Sequence, residues 1–245
     1  MAATSTGGTP IQTYARIGGV LFVISLIAGG FGEGFAPGQL IVSGDATATA
    51  HHVVASATLF RTGFAAYLVE AVCDVSLTMV LFILLRPVHF AVAFLAVLLR
   101  VTATILFAVG EAFYFLPSLL QTNDAYLKSF TQDQLNTLTL LSLNFYSIPG
   151  FMSILFYGLG SICLGALMFR STYLPKVLGV LWIIGGLGFV SDTFLIILAP
   201  QLPVAPLMLL MIIGIIVLGV WLLVRGVDAA KWGARAKLNA SAAEA

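Results

Sequence analysis

The sequence predicts an all-α, polytopic transmembrane helix bundle of about six spans, with both termini cytoplasmic. Three observations lead there. Of 245 residues, 60% are hydrophobic and only 9% are charged, whereas soluble domains carry roughly 25% charged residues. The apolar residues gather into runs of the roughly 20 positions that one bilayer crossing needs. The basic residues are lopsided: Arg16, Arg86, Arg170, Lys176, Arg225, Lys231, Arg235 and Lys237 lie on one side of these runs, against Lys128 alone on the other. That asymmetry is a strong positive-inside signal, and an even number of spans satisfies it.

In order, residues 1–13 are small and polar and read as a flexible tail. They lack a basic stretch and a cleavage site, so the first apolar run is expected to be retained. A single membrane domain follows over residues 14–225, and residues 226–245 form a cytoplasmic tail. Span one runs from about Tyr14 to Phe35 and ends in Gly29, Gly30, Gly32 and Gly34 around Glu33. Such glycines let a neighbouring helix come close or loosen the helix end. Pro37-Gly38 predicts a turn, and Ser43-Gly44-Asp45 an N-cap for a short surface helix that carries His51 and His52.

Span two covers Arg61 to Leu85 and closes at Arg86-Pro87, because proline disfavours helix at the residue before it. Span three covers Val88 to Leu116. The polar interval 117–144 predicts an amphipathic helix in its later half. Span four runs from Phe145 to Phe169, with Pro149-Gly150 either kinking it or opening its regular part. Span five runs from Val177 to Leu198 and span six from Val204 to Val224, where Trp221 suits an interfacial belt.

Charges inside these spans mark the interior. Glu70 and Asp74 are four apart, so they share one face of span two. Asp74 lies 12 residues from Arg86 and Arg100 lies 12 residues from Val88, so each sits roughly 18 Å from the same boundary at 1.5 Å per residue. The tight turn makes spans two and three antiparallel neighbours. An Asp74–Arg100 or Glu70–Arg100 ion pair is therefore expected, since a lone charge at mid-helix costs about 2.5–3.5 kcal/mol. One arginine cannot neutralise both acids, and the surplus carboxylate needs another donor, water or a proton.

Span three shows a stripe of Arg100, Thr104, Phe107 and Glu111, and span four one of Tyr146, Pro149, Ser153, Tyr157 and Ser161. Tyr157 is 13 residues from Arg170, and Asp192 is 16 from Lys176. These depths predict a polar pocket that binds a ligand or a proton, built from Glu70, Asp74, Arg100, Tyr157 and Asp192, with Glu111 nearer its mouth. Glu33 either joins it or sits in the interface. Glu70, Asp74 and Asp192 are the candidates for any acid catalysis.

The remaining features imply little chemistry. Cys73 and Cys163 lie in apolar segments without CxxC spacing, and three histidines lack metal-ligand spacing. Neither metal nor cofactor is expected. No bulk charge points to nucleic acid, since the net charge is +1. Asn239-Ala-Ser fits a glycosylation sequon, but it falls in the expected cytoplasmic tail.

Several blocks resemble one bacterial membrane family: Tyr14-Ala-Arg16-Ile-Gly-Gly-Val-Leu, Ser43-Gly-Asp45-Ala-Thr-Ala-Thr-Ala, Leu59-Phe-Arg61-Thr-Gly, Leu84-Leu-Arg86-Pro87-Val, Phe169-Arg170-Ser-Thr-Tyr-Leu-Pro175-Lys-Val-Leu-Gly179 and Ser191-Asp192-Thr-Phe. The family is domain of unknown function number 4386, and the resemblance covers about residues 14 to 232. It implies an integral protein of the bacterial plasma membrane with about six spans, and it brings no chemistry. Three functions stay open: binding or moving a small molecule or proton, general acid catalysis on a lipidic or isoprenoid substrate, and a structural or regulatory subunit. Signatures of the HExxH, GxSxG and Walker types are absent from the sequence.

Overall fold

The computed structural model describes residues 10–243 apart from 121, 123 and 203–206. The expected N-terminal tail and the Pro203–Pro206 link therefore lie largely outside the described residues. Within them the protein is all-helical: α1 (Ile11–Gly29), a π-helical stretch (Gly30–Phe35), α2 (Ala36–Leu40), α3 (Ala46–Ala55), α4 (Ala57–Leu85), α5 (Phe90–Phe115), α6 (Pro117–Leu120), a 3-10 turn (Ala125–Ser129), α7 (Gln132–Phe145), α8 (Ser147–Arg170), α9 (Lys176–Leu198), α10 (Leu207–Val224) and α11 (Ala229–Ala243). Five stretches are long and apolar enough to cross a membrane: Ile11–Leu40, Ala57–Leu85, Phe90–Leu120, Gln132–Arg170 and Lys176–Leu198. The bent α10–α11 pair brings the candidates to six. The protein is a multi-pass membrane protein.

One expectation at the first loop needs correction. Pro37-Gly38 is not a turn but part of α2, which continues the line of span one to Leu40. Proline at the second helical position is tolerated because no donor is required there. The turn falls instead at Gly44, whose φ of 76° suits a residue without a Cβ. Asp45 then caps α3 by accepting from the Ala48 N–H at 2.8 Å, as its position predicted. The amphipathic helix of the polar interval is α7, opened by a capping box of Thr131 and Gln134. Pro149 is the third residue of α8, where it begins the helix without kinking it.

The chain forms two compact units. One comprises the chain up to Ile24, Cys73–Ala103 and everything from Ile154; the other comprises Ser25–Val72 and Thr104–Ser153. Helices α1, α4, α5 and α8 contribute to both.

In the first unit, paired glycines bring α8 against α9. A Cβ on Gly158 would lie 2.8 Å from the Gly186 carbonyl, and one on Gly186 would lie 2.6 Å from that of Gly158. Gly165 and Gly179 repeat this reciprocity at 2.7 and 2.6 Å. Each helix thus presents two glycines seven residues apart, and backbone packs on backbone as small residues allow in membranes. Gly19 and Gly185 do the same for α10, whose Leu223 and Met211 backbones they meet. Trp182, fully buried, fills the centre and donates from its indole N–H to the Gly214 carbonyl at 3.1 Å.

Within the expected C-terminal tail the chain forms the docked helix α11. Val88 N–H bonds Leu85 rather than Leu84, so α4 ends with the Leu84 carbonyl open. The Tyr173 hydroxyl (2.7 Å) and the Trp232 indole N–H (3.0 Å) both donate to it. Asn239, the sequon residue, donates to the Pro87 carbonyl at 2.6 Å. Burial pushes the Tyr173 phenol up from its ordinary value, with nearby Arg235 pulling the other way.

At the α10–α11 bend, Gly226 takes φ +69°, and the Gln12 side chain lies directly on it. Gln12 donates to the Arg225 carbonyl and accepts from the Val227 N–H, at 2.9 and 3.1 Å. Gly226→Ala should therefore lose about 1–2 kcal/mol for the left-handed backbone alone, and its methyl would displace Gln12. A lowered melting temperature in detergent, with earlier protease cleavage near residue 226, is the expected result.

Candidate functional site

The anticipated site residues fall into two groups, one in each unit. In the first unit α4 and α5, joined by the short Arg86–His89 turn, bring Asp74 and Arg100 together as depth counting predicted. Arg100 is 2% exposed, and its Nη2 lies 3.8 Å from Asp74 Oδ1. Its Nε donates to Thr78 Oγ1 at 3.1 Å. The Thr78 hydroxyl donates in turn to the Asp74 carbonyl at 2.8 Å, which leaves its lone pair to accept from arginine. The guanidinium lies over the Tyr157 ring, 4.2 Å from its centroid, a cation–π contact that grows stronger when desolvated. Gly160 makes room for the arginine stem, since a Cβ there would approach Arg100 Cγ to 3.0 Å.

Tyr157 also meets Phe189 of α9, with ring centroids 5.8 Å apart. Asp192 is one turn beyond Phe189 and 2% exposed. The arginine is thus held by three groups from two helices at fixed places. Thr78 was not anticipated, although its i+4 spacing from Asp74 marks it on the same face.

The second unit holds acids and phenols. The Glu70 carboxylate packs onto Gly29, where a Cβ would lie 2.5 Å from Oε1. A side chain at that position would push the Glu70 carboxylate from its place. Gly32 and Gly63 let the π-helical stretch approach α4, with a Gly32 Cβ 2.8 Å from the Gly63 carbonyl. Gly30 and Gly34 meet nothing within 4 Å. The glycine-rich end therefore does both things expected of it: it admits close packing at two positions and departs from α-geometry across Gly30–Phe35. Single π segments occur often at functional sites.

Glu111 of α5 is 4% exposed. The Tyr146 hydroxyl, from the residue between α7 and α8, hydrogen-bonds its carboxylate. Gly110 admits this neighbour, since a Cβ there would lie 3.2 Å from the Tyr146 carbonyl. Glu111 feels the charge of Glu70, and Tyr146 that of Glu33. Aromatic rings wrap these groups: Tyr67 meets Phe107 edge-on at 4.7 Å, Tyr114 stacks on Phe60 at 5.1 Å and meets Tyr146 at 5.8 Å. The Tyr114 hydroxyl is buried with no hydrogen-bond partner among the described residues. Tyr146 stood in the span-four stripe, but the polar interval before it hid its role. Tyr114 is three residues after Glu111, a spacing that places it beside the acid.

Among the described residues no three His, Cys, Asp or Glu side chains converge to hold a metal ion. Two grooves on the outside, of about 340 and 320 Å³, are lined by Phe130, Asp133, Gln134, Thr137 and Leu138 and by Thr13, Arg16, Ile17, Val20 and Leu21. Neither contains an anticipated site residue.

The family model described as domain of unknown function (DUF4386) matches residues 17–226. No curated relative and no solved structure matches the chain.

Proposed function

For this chain, which belongs to the family of domain of unknown function DUF4386, we propose a role in binding or moving a small molecule or a proton within the membrane. Glu111, Glu70 and Tyr146 carry it, while Arg100, Asp74 and Tyr157 form a fixed charged brace. We further place the protein in a bacterial plasma membrane with both termini cytoplasmic, on the strength of the eight-to-one distribution of basic residues.

The observation that carries the reading is the Glu111 carboxylate, 4% exposed yet hydrogen-bonded by a phenol and in the field of a second carboxylate. An ionisable group at such a position in a membrane helix is a functional-site hypothesis with a named partner. A buried carboxylic acid can take up and release a proton, and the phenol that donates to it holds it in place for that exchange. Asp74 is already committed to Arg100, so its role in this account is to hold that arginine.

The test uses purified protein in proteoliposomes carrying an internal pH dye, with an imposed proton gradient. Wild type and Asp74→Asn are expected to pass protons. Glu111→Gln, still monodisperse and helical, is expected to lose at least about a hundredfold of the rate, the lower end of the scale for one proton-transferring side chain. Wild-type flux in Glu111→Gln and Glu70→Gln would reject the reading. Turnover of a lipid by the purified protein would favour the enzyme instead.

A further inference from the structure

The carboxylate reading makes no use of the basic end of the first unit. α11 leaves α10 at 101°, so it lies along the plane that a spanning α10 crosses. Trp232, Arg235 and Asn239 are spaced by three and four residues and share one face of α11. That face is fixed on the end of α4, with Trp232 bound to the Leu84 carbonyl and Asn239 to that of Pro87. Arg235 stands between the two donors, and Arg86 stands between the two acceptors. These hydrogen bonds, which do not involve the arginines' charges, join the two segments that carry Arg235 and Arg86. Neither has an ion-pair partner among the described residues, and the Arg235 Nε is buried with no hydrogen-bond partner.

We propose that this junction binds the phosphate of an anionic phospholipid, gripped by Arg235 and Arg86. Like charges held together call for a counter-ion, and the guanidinium fork fits phosphate in two-point fashion. The bend argues for a lipid: for a spanning α10, a helix turned by 101° runs along the interface, and Trp221 and Trp232 flank that bend, as indoles favour there. The surroundings are of one sign. Arg170 closes α8, Arg225 follows α10, and Lys231 and Lys237 lie on α11, where Asp228 is taken by Lys231 at 3.3 Å. Bound lipid would then clamp α11 to the turn that joins the two helices of the Asp74–Arg100 brace.

The experiment titrates the full-length protein in detergent with phosphatidylglycerol or phosphatidylcholine and counts bound lipid by native mass spectrometry. Phosphatidylglycerol is expected to remain bound and phosphatidylcholine to leave. Arg235→Gln and Arg86→Gln should each weaken retention about fivefold, the effect of one basic residue at an anionic surface, with Lys128→Gln unchanged. Arg86 is exposed, so its variant decides the matter if Arg235→Gln misfolds. Equal retention of the two lipids, wild-type retention in the arginine variants, or full displacement by equimolar inorganic phosphate would each overturn the proposal.

Discussion

Arg100→Met is expected to destabilise the protein by about 3 kcal/mol, the lower end of the range for removing one partner of a buried ion pair. The lower end applies because the Asp74 side chain is 18% exposed and can regain some water. The substitution also strips Thr78 of its donor and Tyr157 of its cation. Asp74→Asn should be milder, near 1 kcal/mol, because the arginine keeps the Thr78 hydroxyl and the Tyr157 face. Replacing both, as Arg100→Met with Asp74→Leu, should recover most of the loss, since a buried pair exchanged for apolar groups is often neutral. Thermal unfolding of the three variants in one detergent gives the coupling directly. Equal losses for Arg100→Met and the double variant would show that the pair is not what holds α4 to α5.

Gly179→Leu is expected to be as damaging, at about 3 kcal/mol or more. The Cβ alone would stand 2.6 Å from the Gly165 carbonyl and 2.5 Å from the Phe169 amide nitrogen, both backbone atoms that no rotamer change can move. α8 and α9 would have to separate, giving up the close dispersion contacts that hold helices together in lipid. Overpacking of this kind costs about 1–3 kcal/mol in cores that can adjust, and here the obstacle is main chain. Gly150→Ala provides the contrast. Nothing lies within 4 Å of a Cβ there, so the variant should be neutral or up to about 1 kcal/mol more stable through helix propensity. Melting temperatures that failed to separate the two would refute the glycine contact.

Much of this architecture was legible from residues because lipid imposes simple rules. Span lengths follow from bilayer thickness, and the Asp74–Arg100 pair followed from two equal counts on either side of a tight turn. The cap at Asp45 was readable because capping is local chemistry. What escaped depends on register between distant segments. The match of Gly158 to Gly186 and of Gly165 to Gly179 cannot be known until two helices are set side by side. The same holds for Gly29 beneath Glu70, and for Trp232 and Asn239 finding carbonyls left open by a turn some 150 residues earlier. Pro37-Gly38 misled because its turn preference was weaker than the continuation of a helix whose bonding had already shifted to π. Depth placed Asp74 beside Arg100 but could not show that the guanidinium would lie over the Tyr157 ring, since equal depth does not fix which way a side chain faces.

The central claim is that Glu111, with Tyr146 as its donor, takes up and releases a proton inside the membrane. Infrared difference spectra of the carboxyl stretch, recorded on reconstituted protein between acid and alkaline buffer, test it most directly. The account predicts a titrating carboxyl signal that disappears in Glu111→Gln and shifts in Tyr146→Phe, where the phenol donor is gone. The same titrating signal in wild type and in both variants would contradict it.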